Sequence, residues 1–269
     1  MARFLSRKED FENHFKKMMY DTSFDMCSNV DLLLESSVFD YTKHFVNFFE
    51  YMAKNCSDEN TLYTKPDFLR NKINDFGEQF KSNYIDSFSN THKKSLKLWD
   101  ENKILEKANE LKKKYCGNLL EIINGLYSID FEIIKGFEFD TWCNNGKDDF
   151  MGVDGILVSS INQNIKISMN TKHSNFEEIG KFSPFQKLGN WSLMYTRELD
   201  DENKLKMINL PVYGVIFTDN DTKDWTSSNF PGIYIVNDVE LCKNLGKYGK
   251  NYGKVNIWKH WYNIIKECI

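Results

Sequence analysis

Hydrophobic positions recur at two different spacings along this chain of 269 residues, and the change of spacing divides it. In the first half the spacing is helical. Phe11, Phe15, Met18 and Met19 stand among charges, and Val38, Tyr41, Phe45, Phe48, Phe49 and Met52 repeat the pattern more densely. Such stripes are the signature of amphipathic helices with one buried face. Pro66 opens a further helix at a position where a missing N–H costs little. Leu69, Ile73, Phe76, Phe80 and Tyr84 mark its apolar side, and 87–94 is a polar linker. A Lys-rich helix is expected over 95–115, with Leu96, Trp99, Ile104, Ala108 and Leu111 inward. Gly117 should break or bend it, leaving 118–124 as a short apolar segment that Gly125 ends.

From Asp130 the pattern turns to strands. Phe131, Ile133, Ile134, Phe137 and Phe139 lead to Trp142, and Asn144-Asn145-Gly146 is a turn signal. Next comes the stretch on which the reading depends, 151–174. Val153, Ile156, Leu157 and Val158 form one strand. Ile165, Ile167, Met169 and Thr171 alternate with Lys166, Ser168, Asn170 and Lys172 in the next, the period-two mark of a strand. Folding this hairpin about Gln163 sets Asp154 opposite Lys172 and Ile156 opposite Asn170, with Asn170 and Lys172 on one face. A slip of one residue would turn one strand's set over. Beyond it, Ser183-Pro184 should start a helix running to about Leu199. Strands are expected over 212–218 and 232–236, and Asp238 is placed to cap a following helix. A last helix over 257–265 carries Trp258, Trp261 and Tyr262.

The expected fold is therefore α/β: a mixed central sheet flanked by helices, with a helical N-terminal region. The division is 1–90 for that region and 91–269 for the core, which ends in a basic loop and a helix. The core should run as three meander strands, a helix, and two more strands.

Composition narrows the class. Aromatic content of 15% argues against disorder, and a net charge of −4 means that any binding of nucleic acid must use local basic patches. The stretch Gly246-Lys247-Tyr248-Gly249-Lys250-Asn251-Tyr252-Gly253-Lys254 is such a patch. Lysines neutralise phosphates and tyrosines stack on bases; an ordinary flexible surface loop fits it equally. The six cysteines (Cys27, Cys56, Cys116, Cys143, Cys242 and Cys268) form no C-x-x-C pair, and read as reduced thiols with packing roles. The N-terminus MARFLSRKEDF has no long apolar segment, and nothing approaches a membrane span. A soluble cytoplasmic protein without a membrane partner is expected.

The hairpin supplies candidate chemistry. A carboxylate at Asp154 suits a hard divalent cation such as Mg²⁺, which prefers oxygen ligands. The amide oxygen of Asn170 would add to that shell, and the ammonium of Lys172 would assist an attacking water. At these residues the chain resembles the PD-(D/E)xK nuclease superfamily, which includes most type II restriction endonucleases. Asp154 followed by Asn170-Thr171-Lys172 is similar to its motif, with Asn170 where the common pattern has Asp or Glu. Some restriction enzymes, the TaqI and MspI types among them, carry Asn or Gln there. The run Asn170-Thr171-Lys172-His173-Ser174 is similar to the MspI type, and the approach Gly152-Val153-Asp154 to the TaqI type.

The resemblance spans about 130–236. It implies a restriction-endonuclease-like fold and Mg²⁺-dependent, sequence-specific cleavage of double-stranded DNA by a monomer or homodimer. Asp154, Asn170 and Lys172 would be catalytic. Asp154 and Asn170 would hold the metal, aided by an acid from the preceding helix, for which Glu121 is placed, or by Asp149 beside Asp148. His173, Lys247, Tyr248, Lys250, Tyr252 and Lys254 would contact DNA. Other readings stand beside this one. Asp154 before Gly155 also fits an ordinary turn, and Lys166, Ser168, Asn170 and Lys172 also fit the wet face of a strand. A non-catalytic nucleic-acid-binding protein on a decayed nuclease core accounts for Asn170 as well. No RNA-binding module is recognisable.

Overall fold

Helical periodicity becomes helix over three long segments at the start of the computed structural model, which describes residues 41–56, 65–91, 101–142, 153–172, 197–199, 205–207, 214–218, 233–251 and 256–267. These are α1 (Tyr41–Asn55), α2 (Pro66–Thr91) and α3 (Glu101–Asp130). Among the described residues seven strands follow: β1 (Phe137–Trp142), β2 (Gly155–Ser159), β3 (Lys166–Lys172), β4 (Arg197–Leu199), β5 (Leu205–Met207), β6 (Gly214–Thr218) and β7 (Ile233–Asn237). The described chain closes with α4 (Asp238–Asn251) and α5 (Ile257–Glu267). The fold is α/β, and its described residues group into two compact units.

The helical unit takes the described residues up to Leu119 and those from Cys242 onward. Phe45, Phe48, Phe49 and Met52 of α1 are fully buried, and Leu69, Ile73, Phe80 and Tyr84 of α2 are buried as well, so these positions are core, while Phe76 is half-buried. Phe11, Phe15, Met18, Met19 and Val38 lie outside the described residues. Phe80 stacks on Tyr115 with ring centroids 4.6 Å apart, and Trp258 meets Phe48 edge-on at 6.2 Å. Burial pushes the Tyr115 hydroxyl pKa well above its ordinary value. That hydroxyl donates to the main-chain carbonyl of His44 at 3.1 Å. Cys56, Cys116 and Cys242 are buried thiols, as expected for packing roles.

Two expectations about α3 are corrected. Gly117 does not break the helix, and Gly125 does not end it: one helix of 30 residues passes through both. Glycine in a helix interior costs only about 1 kcal/mol relative to Ala. Against this, Leu111, Tyr115, Leu119, Leu120, Ile122, Ile123, Leu126 and Tyr127 are all buried along the continuous helix, and fully burying a single large side chain contributes about 1.5–3 kcal/mol.

The sheet unit takes the described residues from Leu120 to Leu241. Among its described residues, a five-stranded sheet has the order β1-β2-β3-β6-β7, and β4 and β5 form a separate two-stranded sheet. β1, β2 and β3 form an antiparallel meander. β6 then pairs parallel to β3, and β7 parallel to β6. The meander and the two later strands of this sheet were expected; β4 and β5, which lie between them along the chain, were not. β3 is central, and β6 is buried at every position, as strands covered on both faces are. The turn before β1 uses Gly136 at φ +82°, a conformation that side chains disfavour. Its carbonyl accepts from both the N–H and the hydroxyl of Ser160, at 2.9 and 3.0 Å.

The hairpin closes one residue earlier than expected. Gly155 pairs with Met169, Ile156 with Ser168, Leu157 with Ile167 and Val158 with Lys166. Ile156 thus faces Ser168 instead of Asn170. A shift by an even number of residues keeps every side chain on its face, so hydrophobic alternation cannot sense it. The turn itself explains the choice. Ser159 Oγ accepts from the N–H groups of Ile161 and Asn162 at 3.3 Å each, and Asn162 Oδ1 accepts from the N–H of Asn164 at 3.0 Å.

Three further expectations change. The helix expected over 183–199 is overturned at its end, where Arg197–Leu199 is a strand paired antiparallel with Leu205–Met207; 183–196 lies outside the described residues. The basic stretch from Gly246 is not a loop as far as Asn251, because α4 continues through it. Leu241, Cys242 and Leu245 are buried at helical spacing and carry the helix past the glycines. Asp238 is not the cap of α4: Asn237 Oδ1 accepts from the N–H of Glu240 at 2.9 Å, the bond an N-cap makes to the third helical residue.

Candidate functional site

The C-terminal part of α3 covers one face of β3 and β6. Tyr127 meets Phe217 edge-on at 6.2 Å, and Asn124 Nδ2 donates to Thr171 Oγ1 at 3.4 Å. Thr171 and Phe217 are register partners on adjacent parallel strands, so one helix face touches both. Where the helix passes the end of β3 a small cavity remains, lined by Glu121, Asn124, Gly125, Asp154, Gly155, Met169 and Thr171. It has room for about one water-sized species. Glu121, Asn124 and Gly125 are the i, i+3 and i+4 positions of α3, which share a face.

Asp154 is held at the cavity by the way β2 begins. Its own N–H donates to the Met169 carbonyl at 2.8 Å. Its carboxylate oxygen Oδ2 accepts from the N–H of Thr171. The side chain therefore continues the β2–β3 ladder one step beyond the last regular pair, in place of a main-chain carbonyl. A carboxylate offers about four lone-pair directions, so this bond and a bound cation are compatible.

The cavity thus brings together two of the residues singled out from the sequence, Glu121 and Asp154. Asn170 and Lys172 are not among the residues that line it. They alternate with Met169 and Thr171 along β3, and the pleat turns successive residues to opposite faces. Asn170 is fully buried, and so is Ser168, so these two are not the wet face of a strand. Lys172 is half-buried at the last position of β3. Lys247, Tyr248 and Lys250 fall within α4. Asp149, His173, Tyr252 and Lys254 lie outside the described residues.

The lining groups suit a hard cation. Two carboxylates, an amide and a hydroxyl are oxygen-bearing groups, the kind Mg²⁺ takes, and Mg²⁺ commonly uses one or two carboxylates with water and substrate phosphate completing its shell. Among the described residues no three His, Cys, Asp or Glu side chains cluster into a larger metal-binding group. Sequence reasoning passed over Asn124 and Thr171. The signal for Asn124 was a polar residue three positions after Glu121 inside the apolar run Leu119–Leu126. No helix among the described residues is long and apolar enough to cross a membrane. The chain matches no protein-family model, no curated protein and no solved structure.

Proposed function

We propose that the protein is a Mg²⁺-dependent endonuclease that hydrolyses phosphodiester bonds of double-stranded DNA, on a core like that of type II restriction enzymes. The observation that carries this reading is the meeting of Glu121 and Asp154 at one small cavity at the end of β3. A helix bearing one acid, then an antiparallel meander bearing another, then strands parallel to β3 is the arrangement that the resemblance to PD-(D/E)xK nucleases leads one to expect. In this reading Glu121 and Asp154 hold the cation. When bound, it would lower the pKa of a coordinated water and neutralise charge on the scissile phosphate. Asn170 and Lys172, which the pleat turns away from the cavity, take no part at the cation, and buried Asn170 keeps β3 in place from inside the core. The substrate is recognised by a monomer or a homodimer.

Cleavage of supercoiled plasmid, with Mg²⁺ and with chelator, tests the reading beside Glu121→Gln and Asp154→Asn. Discrete Mg²⁺-dependent products that both substitutions abolish support it; cleavage that survives both, or needs no divalent cation, sinks it. A second reading is a nucleic-acid-binding protein on a core that has lost catalysis. It is favoured by the complete burial of Asn170, at the position where the superfamily pattern carries an acid. DNA binding without cleavage under any divalent cation would select this second reading.

A further inference from the structure

We infer that Asn124 is a positioning residue that fixes the Asp154 carboxylate through Thr171, an inference that rests on the cation-site reading above. Asn124 is only 2% exposed. Its neighbours along α3, Leu120, Ile122, Ile123, Leu126 and Tyr127, are buried and apolar or aromatic. A buried amide costs free energy unless it is hydrogen-bonded, and a leucine would pack there without that cost. The amide is instead directed across to the sheet, where Nδ2 donates to Thr171 Oγ1 at 3.4 Å. The same threonine donates its main-chain N–H to Asp154 Oδ2.

The order of contacts is helix amide, strand hydroxyl, strand N–H, carboxylate. Asn124 selects the side-chain rotamer of Thr171, which is β-branched and has few to choose from. It thereby holds the last turn of the pleat, and the direction of the 171 N–H sets where the Asp154 carboxylate points. The hydroxyl accepts from Asn124 through a lone pair and retains its own hydrogen as a donor, at a position that lines the cavity. Asn124 itself lines the same cavity three residues beyond Glu121. One helix face therefore carries both an acid and the group that orients the other acid.

Amide hydrogen exchange tests this without any metal. In Asn124→Leu and in Thr171→Val, the amide at position 171 should exchange about tenfold faster, the loss of one ordinary hydrogen bond's worth of order. The double variant should show no further change, because both substitutions remove the same link. Thr171→Ser keeps the hydroxyl and should retain wild-type protection, and Val215 and Phe217 should stay protected throughout. If Asn124→Leu does not fold, the Thr171→Val and Thr171→Ser pair decides. Unchanged protection at position 171 overturns the inference, as does acceleration that spreads equally to Val215 and Phe217. Titration with Mn²⁺ gives a second readout, with affinity expected to fall about tenfold in Asn124→Leu. Mn²⁺ affinity that is unchanged in Asn124→Leu also overturns it. A wild-type chain that binds no Mn²⁺ overturns the cation-site reading alone, and the exchange comparison still decides the positioning role.

Discussion

Asp154 Oδ2 accepts a hydrogen bond from the main-chain N–H of Thr171, 17 positions along the chain. The bond gives this carboxylate a structural task before any chemistry. Asp154→Ala should leave the Thr171 N–H without its acceptor and lower stability by about 1–3 kcal/mol. Asp154→Asn keeps an oxygen acceptor and should cost less than about 1 kcal/mol. Urea unfolding of the two variants measures the difference. Equal losses would show that the hydrogen bond contributes nothing, and they would make alanine an acceptable probe of catalysis. If the losses differ as expected, asparagine is the cleaner probe.

Two glycines should respond in opposite directions to the same change. A Cβ added at Gly117 of α3 meets nothing within 4 Å, so Gly117→Ala should stabilise the protein by about 0.5–1 kcal/mol. A Cβ added at Gly77 of α2 would lie 2.5 Å from Cys116 Sγ. The sulfur belongs to a fully buried residue and contacts the Ile73 carbonyl, so either the thiol or the helices must shift, and Gly77→Ala should cost about 1–3 kcal/mol. Thermal unfolding midpoints should move up for the first and down for the second.

Asn256 ties the start of α5 to the end of α1. Its Nδ2 donates to the carbonyls of Ala53 and Cys56, the first at 3.2 Å and the second at 2.5 Å. Its Oδ1 accepts from the N–H of Lys259 at 3.2 Å, so it also caps α5. Asn256→Ala removes a cap and leaves helix-terminal carbonyls without that donor, for a loss of about 2 kcal/mol. Asn256→Asp keeps the cap but not the donor, and should fall between alanine and the wild type. A loss with aspartate as large as with alanine would contradict the capping role.

The pair Glu78–Lys112 gives a pH dependence with a defined sign. Lys112 Nζ donates to Glu78 Oε1 at 2.6 Å. That hydrogen bond, with the charge of Lys112 behind it, holds the Glu78 carboxyl below its ordinary value of 4.5. A lowered folded-state value means that the unfolded chain binds the proton more tightly. The contribution is therefore complete at neutral pH and is lost as pH falls through the lowered Glu78 value. Glu78 is 57% exposed and Lys112 22%, so solvent screening limits the pair to less than about 1 kcal/mol. In Lys112→Met, carboxyl-detected NMR should show Glu78 titrating closer to its ordinary value; an unmoved titration would show that the pair does not form in solution.

What the sequence made legible depended on whether the signal lay within one element. Phe45, Phe48, Phe49 and Met52 announce a buried helix face by spacing alone, and all are buried. Ile167 and Met169 announce a strand in the same way. The register of the hairpin was not legible, because Ile156 opposite Ser168 and Ile156 opposite Asn170 satisfy the same alternation. The continuity of α3 was hidden for another reason: Gly117 and Gly125 look like stops locally, and only the burial of Leu119, Ile123 and Leu126 on tertiary contacts overrides them. Arg197–Leu199 becomes a strand because Leu205–Met207 pairs with it, and three residues carry too little periodicity to show it. At the candidate site, Asp154 and Glu121 stood out as acids at plausible positions. Asn124 and Thr171 did not, because their roles exist only where a helix meets a strand.

Calorimetric titration with Mn²⁺ asks most directly whether Glu121 and Asp154 share one cation, since Mn²⁺ takes the same oxygen ligands as Mg²⁺. The comparison needs the wild type, Glu121→Gln, Asp154→Asn and the double variant. A shared site predicts one ion per chain, affinity reduced about tenfold or more by either substitution, and a double variant little worse than the weaker single one. Wild-type affinity in both single variants, or no binding by the wild type at all, would contradict it.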